Sequence, residues 1–186
     1  MAASFTHHRF TADEYERMGE VGILHEDDRV ELIDGEIVQM AAIGIKHVFC
    51  VNRLNGLLTQ IVENPSMVSV QNSIRLWDHT EPEPDFAVLR DGTPEDVMPS
   101  PDDVLLVIEV SDSSLVYDRT VKFPRYARAG IAEAWLVDLE GQRIERHTDP
   151  GTTGYRLIAI LERGDTLAST VLPAIAISVD VVLGKP

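Results

Sequence analysis

The residues able to do chemistry lie in three segments between Glu81 and Trp135. In EPEPDFAVL, Glu81 to Leu89, Asp85 heads a short apolar run. In DDVLLVIEVSDSS, Asp102 to Ser114, Glu109 sits inside the most hydrophobic run of the chain. In YDRTVKFPRYARAGIAEAW, Tyr117 to Trp135, Lys122 and Tyr126 follow. Breaking a phosphodiester requires an attacking water, a means of spreading charge over the phosphorus oxygens, and help for the leaving oxygen. Mg²⁺ or Mn²⁺ held by two carboxylates and a backbone carbonyl supplies most of this. Asp85 and Glu109 are the candidate carboxylates, with the carbonyl of Val110 beside them. Hard oxygen ligands on strand ends suit these ions better than zinc. A lysine near the water can orient it, lower its pKa or stabilise charge in the transition state. Lys122 is the candidate, and no other lysine lies between Lys46 and Lys185. An ionised Glu109 among Leu, Val and Ile is costly to bury without a partner. The plainer explanation of Glu109 is a salt bridge to a nearby arginine.

These residues need elements to position them. Thr11-Ala-Asp-Glu14 matches a capping box and predicts a short helix from Ala12 to about Gly19, with Tyr15 and Met18 inward. RVELIDGEIVQM, Arg29 to Met40, predicts a hairpin turning at Asp34-Gly35. That register sets Glu31 opposite Val38, as a candidate site acid or as part of a solvated strand face. KHVFCVNRLNGLLTQIV, Lys46 to Val62, predicts an amphipathic helix with Val51, Leu54, Leu58 and Ile61 on one stripe. His47 lies one turn before Val51, as a pocket residue or a hydrogen-bonded structural histidine. Cys50 reads as a small core hydrophobe. Met67 to Trp77 alternates as a strand would, with Gln71 its notable polar group.

Pro82 and Pro84 force extended backbone before DFAVL. Asp91 to Pro101 reads as a second, more mobile loop. Val104 to Ser111 predicts a buried strand, with Val107, Glu109 and Ser111 on one face and Leu106, Ile108 and Val110 on the other. Asp118, Lys122 and Tyr126 recur at four-residue steps on the helix that follows. Pro124 should kink or restart that helix near Lys122, and Gly130 ends it. Glu133 to Asp138 and Gln142 to His147 predict another hairpin, continued by Gly154 to Leu161. A short strand near Ser169 to Leu172 and a turn from Ser178 close the chain.

With 186 residues, 44% hydrophobic and 25% charged, the chain is expected to form one domain over residues 1–186. It has no long apolar run and no apolar block at its N-terminus, so neither a membrane span nor a signal peptide is expected. One cysteine excludes an internal disulfide and a cysteine-rich zinc site, and fits a reducing cytoplasm. The net charge of −15, from 16 Lys and Arg against 31 Asp and Glu, opposes tight binding to a phosphate backbone. A nucleic-acid partner would have to rely on local basic groups, metal ions or a narrow groove.

The combination of IDGEI, PD, IEV-S, K-P-Y-G and E-W-VD resembles the PD-(D/E)XK nuclease superfamily, and more narrowly the Uma family (Uma-two) of restriction-endonuclease-like proteins. The resemblance runs from Thr11 to about Val182. It implies an α/β (α+β) fold: a restriction-endonuclease-like mixed β-sheet flanked by helices, with an N-terminal hairpin and a C-terminal antiparallel meander. It implies a divalent-metal site, deoxyribonuclease activity on DNA and a homodimer. The PD motif falls on Pro84-Asp85 and the second acid on Glu109. Ser111 stands where the superfamily usually has its lysine, and the resemblance moves that role to Lys122. Glu31 matches an acid that completes the metal shell, and His47, Gln71 and Tyr126 match pocket positions. The expected function is a Mg²⁺- or Mn²⁺-dependent endonuclease acting on DNA. The alternatives are a nuclease-like dimeric binding or accessory module that does not cut, and hydrolysis of a smaller phosphate substrate.

Overall fold

The computed structural model describes residues 6–64 and 67–185. Its centre is a six-stranded sheet in the order β3-β4-β5-β6-β7-β8. The strands are β3 (Val68–Val70), β4 (Phe86–Leu89), β5 (Val104–Ser111), β6 (Glu133–Asp138), β7 (Arg143–Gly151) and β8 (Gly154–Glu162). β5 and β6 run parallel, and the other neighbours pair antiparallel. A parallel pair requires a crossover connection. Here it is made by α3 (Leu115–Tyr117), a π-helical turn at Asp118–Lys122 and α4 (Phe123–Arg128). The crossover returns Lys122 and Tyr126 over the strand that carries Glu109.

Side-chain alternation along β5 builds two cores. Leu106, Ile108 and Val110 join Phe86, Val88 and Trp135 beneath α2 (Ile45–Ile61) and α5 (Val179–Leu183). Helix α2 presents Cys50, Val51, Leu54 and Leu58 to that core, and Ile61 packs at its margin. On the opposite face Val107 joins Ala87, Ala134 and Leu136 beneath Phe123, Tyr126 and Ile131. Glu109 shares this second face. It is a carboxylate at a position where apolar burial is worth about 1.5–3 kcal/mol per large side chain.

Helix α1 (Ala12–Glu20) starts at the expected capping box. It lies at the margin: Ala12 is buried, whereas Tyr15 and Met18 are only partly covered. The hairpin of β1 (Val30–Ile33) and β2 (Glu36–Gln39) forms its own two-stranded sheet, with Glu31 opposite Val38. Asp34 and Gly35 have φ of 48° and 80°, the left-handed pair that a tight hairpin turn requires. The hairpin is fastened at several places, two of them reaching the central loop and α4. Leu32 and Glu81 exchange backbone hydrogen bonds of 3.3 and 2.8 Å, and Asp34 pairs with Arg125 of α4.

Two sequence expectations need correction, and a third holds with a difference. The strand expected over Met67 to Trp77 stops at Val70, because Gln71 takes φ of 51° and leaves the ladder. The short strand expected near Ser169 to Leu172 is instead a pair, β9 (Thr166–Ala168) and β10 (Ala176–Ser178), on either side of that segment. Pro124 does restart the helix, through a π-helical turn that four-residue spacing does not anticipate.

The turn that anchors the hairpin gives a test. An added Cβ at Gly35 would stand 2.7 Å from Cβ of Arg9, and the backbone is left-handed there. Gly35→Ala should destabilise the protein by about 1–3 kcal/mol in urea titration. Unchanged stability would show that the hairpin is not anchored at this turn.

Candidate active site

Asp85 stands at the entry to β4, and three groups fix its carboxylate. The backbone N–H of Val110 donates to Oδ2 at 2.8 Å. His47 Nε2 lies 2.9 Å from Oδ1 and 3.0 Å from Oδ2. Gln71 Nε2 donates to Oδ1 at 3.3 Å. The left-handed kink that ends β3 is also where the Gln71 N–H donates to the carbonyl of Asp85 at 3.1 Å. Since Asp85 offers only acceptors, Nε2 of His47 carries the proton in this pairing. Its Nδ1 is buried without a hydrogen-bond partner.

Glu109 is 3% exposed, and both of its close contacts fall on Oε1. Lys122 Nζ lies 2.7 Å away and the Tyr126 hydroxyl donates at 2.6 Å. The partner is therefore the lysine of the crossover rather than an arginine. Lys122 also donates to the carbonyl of Glu83 at 2.9 Å and lies 3.4 Å from Glu31 Oε2. Glu31 in turn accepts from the Tyr117 hydroxyl at 2.8 Å and from the Glu83 N–H at 3.1 Å. Protein donors thus engage both oxygens of Glu31. In this geometry it also holds Lys122 and the Pro82–Pro84 loop.

Ser111, at the usual lysine position, donates instead to Asp118 at 2.7 Å, as does Ser114 at 2.6 Å. Arg119 pins the π-helical turn from outside through Glu145, with contacts of 2.6 and 3.3 Å.

Burial pushes the Glu109 carboxyl well above the usual carboxylate range; Lys122 opposes this, while Asp118 and Asp85 add to it. Burial works against the charge of Lys122, but Glu109, Glu31 and Asp118 outweigh it and hold its pKa above the ordinary lysine value. The two partners move upward for different reasons: burial dominates for Glu109, whereas the surrounding carboxylates dominate for Lys122. Burial and then Glu109 keep Tyr126 a phenol well beyond its usual range.

A cavity of about 330 Å³ opens over these residues. Glu31, Glu83, Asp85, Glu109, Asp112 and Asp118 line it, against Arg29 and Lys122 as its cations besides His47. Among the described residues, no three His, Cys, Asp or Glu side chains form a group able to hold a metal ion unaided. Mg²⁺ asks for less, because it keeps several waters and binds through one or two carboxylates plus substrate phosphate. Asp85, Glu109 and the Val110 carbonyl supply hard oxygens within an excess of negative charge, and that donor set fits such an ion. Sequence reasoning assigned no role to Tyr117, Asp118 or the backbone of Glu83. Only the placing of Asp118 one helical turn after Ser114 could have signalled any of them.

The chain matches the Uma2 family model, described as "Putative restriction endonuclease", over residues 12–180. Among solved structures it is similar to one described as a putative nuclease belonging to DUF820 from Anabaena variabilis ATCC 29413. The likeness has a TM-score of 0.71 at 15% identity and covers 94% of this chain and 97% of the other. At that identity it establishes the fold, a mixed sheet flanked by helices in the manner of a nuclease. No curated protein matches the chain.

Removing the ammonium should expose the cost of Glu109. Lys122→Met is expected to lose about 3–5 kcal/mol of stability at neutral pH. Lys122 opposes the rise of the Glu109 pKa, so without it the folded carboxyl binds its proton more tightly than in the wild type and gains more from acid. The deficit relative to wild type should therefore shrink as pH falls from neutral toward the unfolded carboxylate pKa. Urea titrations of both proteins at neutral and mildly acidic pH measure it; a deficit independent of pH would refute the pairing.

Proposed function

Since the chain belongs to the Uma2 family, we propose that it is a divalent-metal-dependent endonuclease that hydrolyses phosphodiester bonds in DNA. One observation carries the reading: Asp85 and Glu109 open on a single acid-lined cavity, with Lys122 buried against Glu109. Asp85, Glu109 and the Val110 carbonyl would hold Mg²⁺ or Mn²⁺. The ion, when bound, supplies charge stabilisation at the phosphoryl oxygens and a more acidic water. His47, Gln71 and the Val110 N–H keep Asp85 in one orientation. Tyr126 orients Glu109 through Oε1. Glu31 completes the arrangement by fixing Lys122.

The raised pKa of Lys122 supports a role in stabilising charge rather than in accepting a proton. An ammonium that keeps its proton at neutral pH cannot serve as the general base. It can donate to, and stabilise, negative charge developing on the phosphate. The same reading makes the protein a cytoplasmic homodimer of one restriction-endonuclease-like domain over residues 1–186. No described helix is long and apolar enough to cross a membrane.

The lack, among the described residues, of a self-sufficient three-ligand group favours a second reading, a nuclease-like binding or accessory module that does not cut. Calorimetry with Mg²⁺ or Mn²⁺ separates the two. The wild type should bind the ion, and Asp85→Ala/Glu109→Ala should not. Asp85→Ala, Glu109→Ala and Lys122→Ala should each lower DNA cleavage at least about a hundredfold, with circular dichroism reporting the fold. Full cleavage by all three variants would sink the assignment. Competition by nucleotides rather than by DNA would point to a smaller phosphate substrate.

A further inference from the structure

An acid-lined cavity in a chain of net charge −15 leaves open how a polyanionic substrate is held. The acids are unevenly spread. Residues 37–62 contain no Asp or Glu, although 31 occur in the chain. That stretch includes all of α2, whose first turn borders the catalytic cavity. His47 bonds Asp85, and the residue before it, Lys46, is exposed and makes no ion pair among the described residues. Lys46, Phe49 and Arg53 fall on one side of the helix at three- and four-residue steps. They line an open groove of about 910 Å³ together with Gln142, Lys185 and one acid, Glu140.

Among the described residues no ion pair engages the cations of this groove. Arg53 donates to the backbone carbonyls of Val182 and Leu183 at 3.1 and 2.8 Å, which orients the guanidinium without neutralising it. Gly184 lies against that guanidinium so closely that a Cβ would stand 2.7 Å from Cζ. Phe49, between Lys46 and Arg53, is 58% exposed. Several other basic groups are held by acids or by an aromatic ring. Arg119 pairs with Glu145, Lys122 with Glu109 and Arg125 with Asp34, and Arg128 lies over the Trp77 ring. The cavity beside residues 91–99 has Arg90 against Glu83, Asp91, Glu95 and Asp96.

We infer that the α2 groove is the nucleic-acid track of this protein, binding a single strand by phosphate contacts to Lys46, Arg53 and Lys185 and by stacking one base on Phe49. This rests on the nuclease reading above. From Lys46 to Arg53 the helix rises about 10.5 Å, which sets the two cations along a short stretch of one strand. An aromatic face between cations suits a base with its flanking phosphates, since stacking on a side chain tolerates any base. The strand would run from the groove past Lys46 into the cavity that holds Asp85.

The test is fluorescence anisotropy with a short labelled single-stranded oligodeoxynucleotide, in EDTA, across a salt series. Phe49→Ala should weaken binding about fivefold to a hundredfold. Lys46→Gln should weaken it and lower the salt slope by about 0.7. Both substitutions are at exposed positions and should leave the melting temperature unchanged. An absence of wild-type binding would overturn the inference, and so would wild-type affinity in both groove variants. Groove-dependent binding without cleavage on adding Mg²⁺ would fail the nuclease reading and uphold the track. Cleavage unaffected by either groove variant would do the reverse.

Discussion

The structure depends on one buried ammonium. Lys122 is 4% exposed and needs acceptors from three separate parts of the chain: Glu109 of β5, Glu31 of β1 and the carbonyl of Glu83. Burying a charge costs several kcal/mol unless it is paired and hydrogen-bonded. That cost explains local features that otherwise look unconnected. The hairpin stands outside the main sheet, yet it is clipped to the Pro82–Pro84 loop through Leu32 and Glu81. The clip carries Glu31 to the Glu83 N–H, and the same residue turns its carbonyl to Lys122. The fold thus satisfies the lysine by joining the hairpin, the loop before Asp85 and the central strand at one point.

The same point sets the electrostatics. Asp85, Asp118 and Glu83 surround a pair that is already short of positive charge. Most proteins would relieve such a cluster by moving acids to the surface. Keeping it here leaves a cavity that attracts cations and repels phosphate. In the track proposed above, α2 supplies a change of sign over a single residue step, from Lys46 on the groove to His47 on the cavity. Net charge over the whole chain is therefore a poor guide to its partners, because affinity follows the local field.

Much of this was legible in the sequence, and the reasons are local. Asp34-Gly35 dictates its turn through positive φ, and that turn fixes the register that orients Glu31. Alternation along Val104 to Ser111 places Glu109 away from Leu106, Ile108 and Val110. The stripe of α2 was equally plain. What escaped were features decided by distant partners. Gln71 leaves its strand at the residue whose backbone and side chain both bond Asp85. The strand pairing of Thr166–Ala168 with Ala176–Ser178 is set by contacts that no short window contains. Seeing Tyr117 as a partner of Glu31 requires knowing how two segments 86 positions apart meet.

The lysine's location follows from geometry rather than from a simple transfer of position. A side chain at residue 111 shares the face of Glu109, so a lysine there would reach along its own strand. Ser111 instead reaches Asp118, and with Ser114 it fixes the start of the π-helical turn. A π turn spaces residues more widely than an α turn, and such turns recur at functional sites. Here it lets Asp118 face Ser111 while Lys122 and Tyr126 both reach Oε1 of Glu109. Pro124 suits this arrangement, since it cannot donate a backbone hydrogen bond and sits where α4 begins. Placing the lysine on the crossover also ties the site to the hairpin through Arg125 and Asp34. A strand-borne lysine would make none of these connections. The departure at Ser111 is therefore a different way of assembling the same charges, with the crossover, rather than β5 alone, holding them in place.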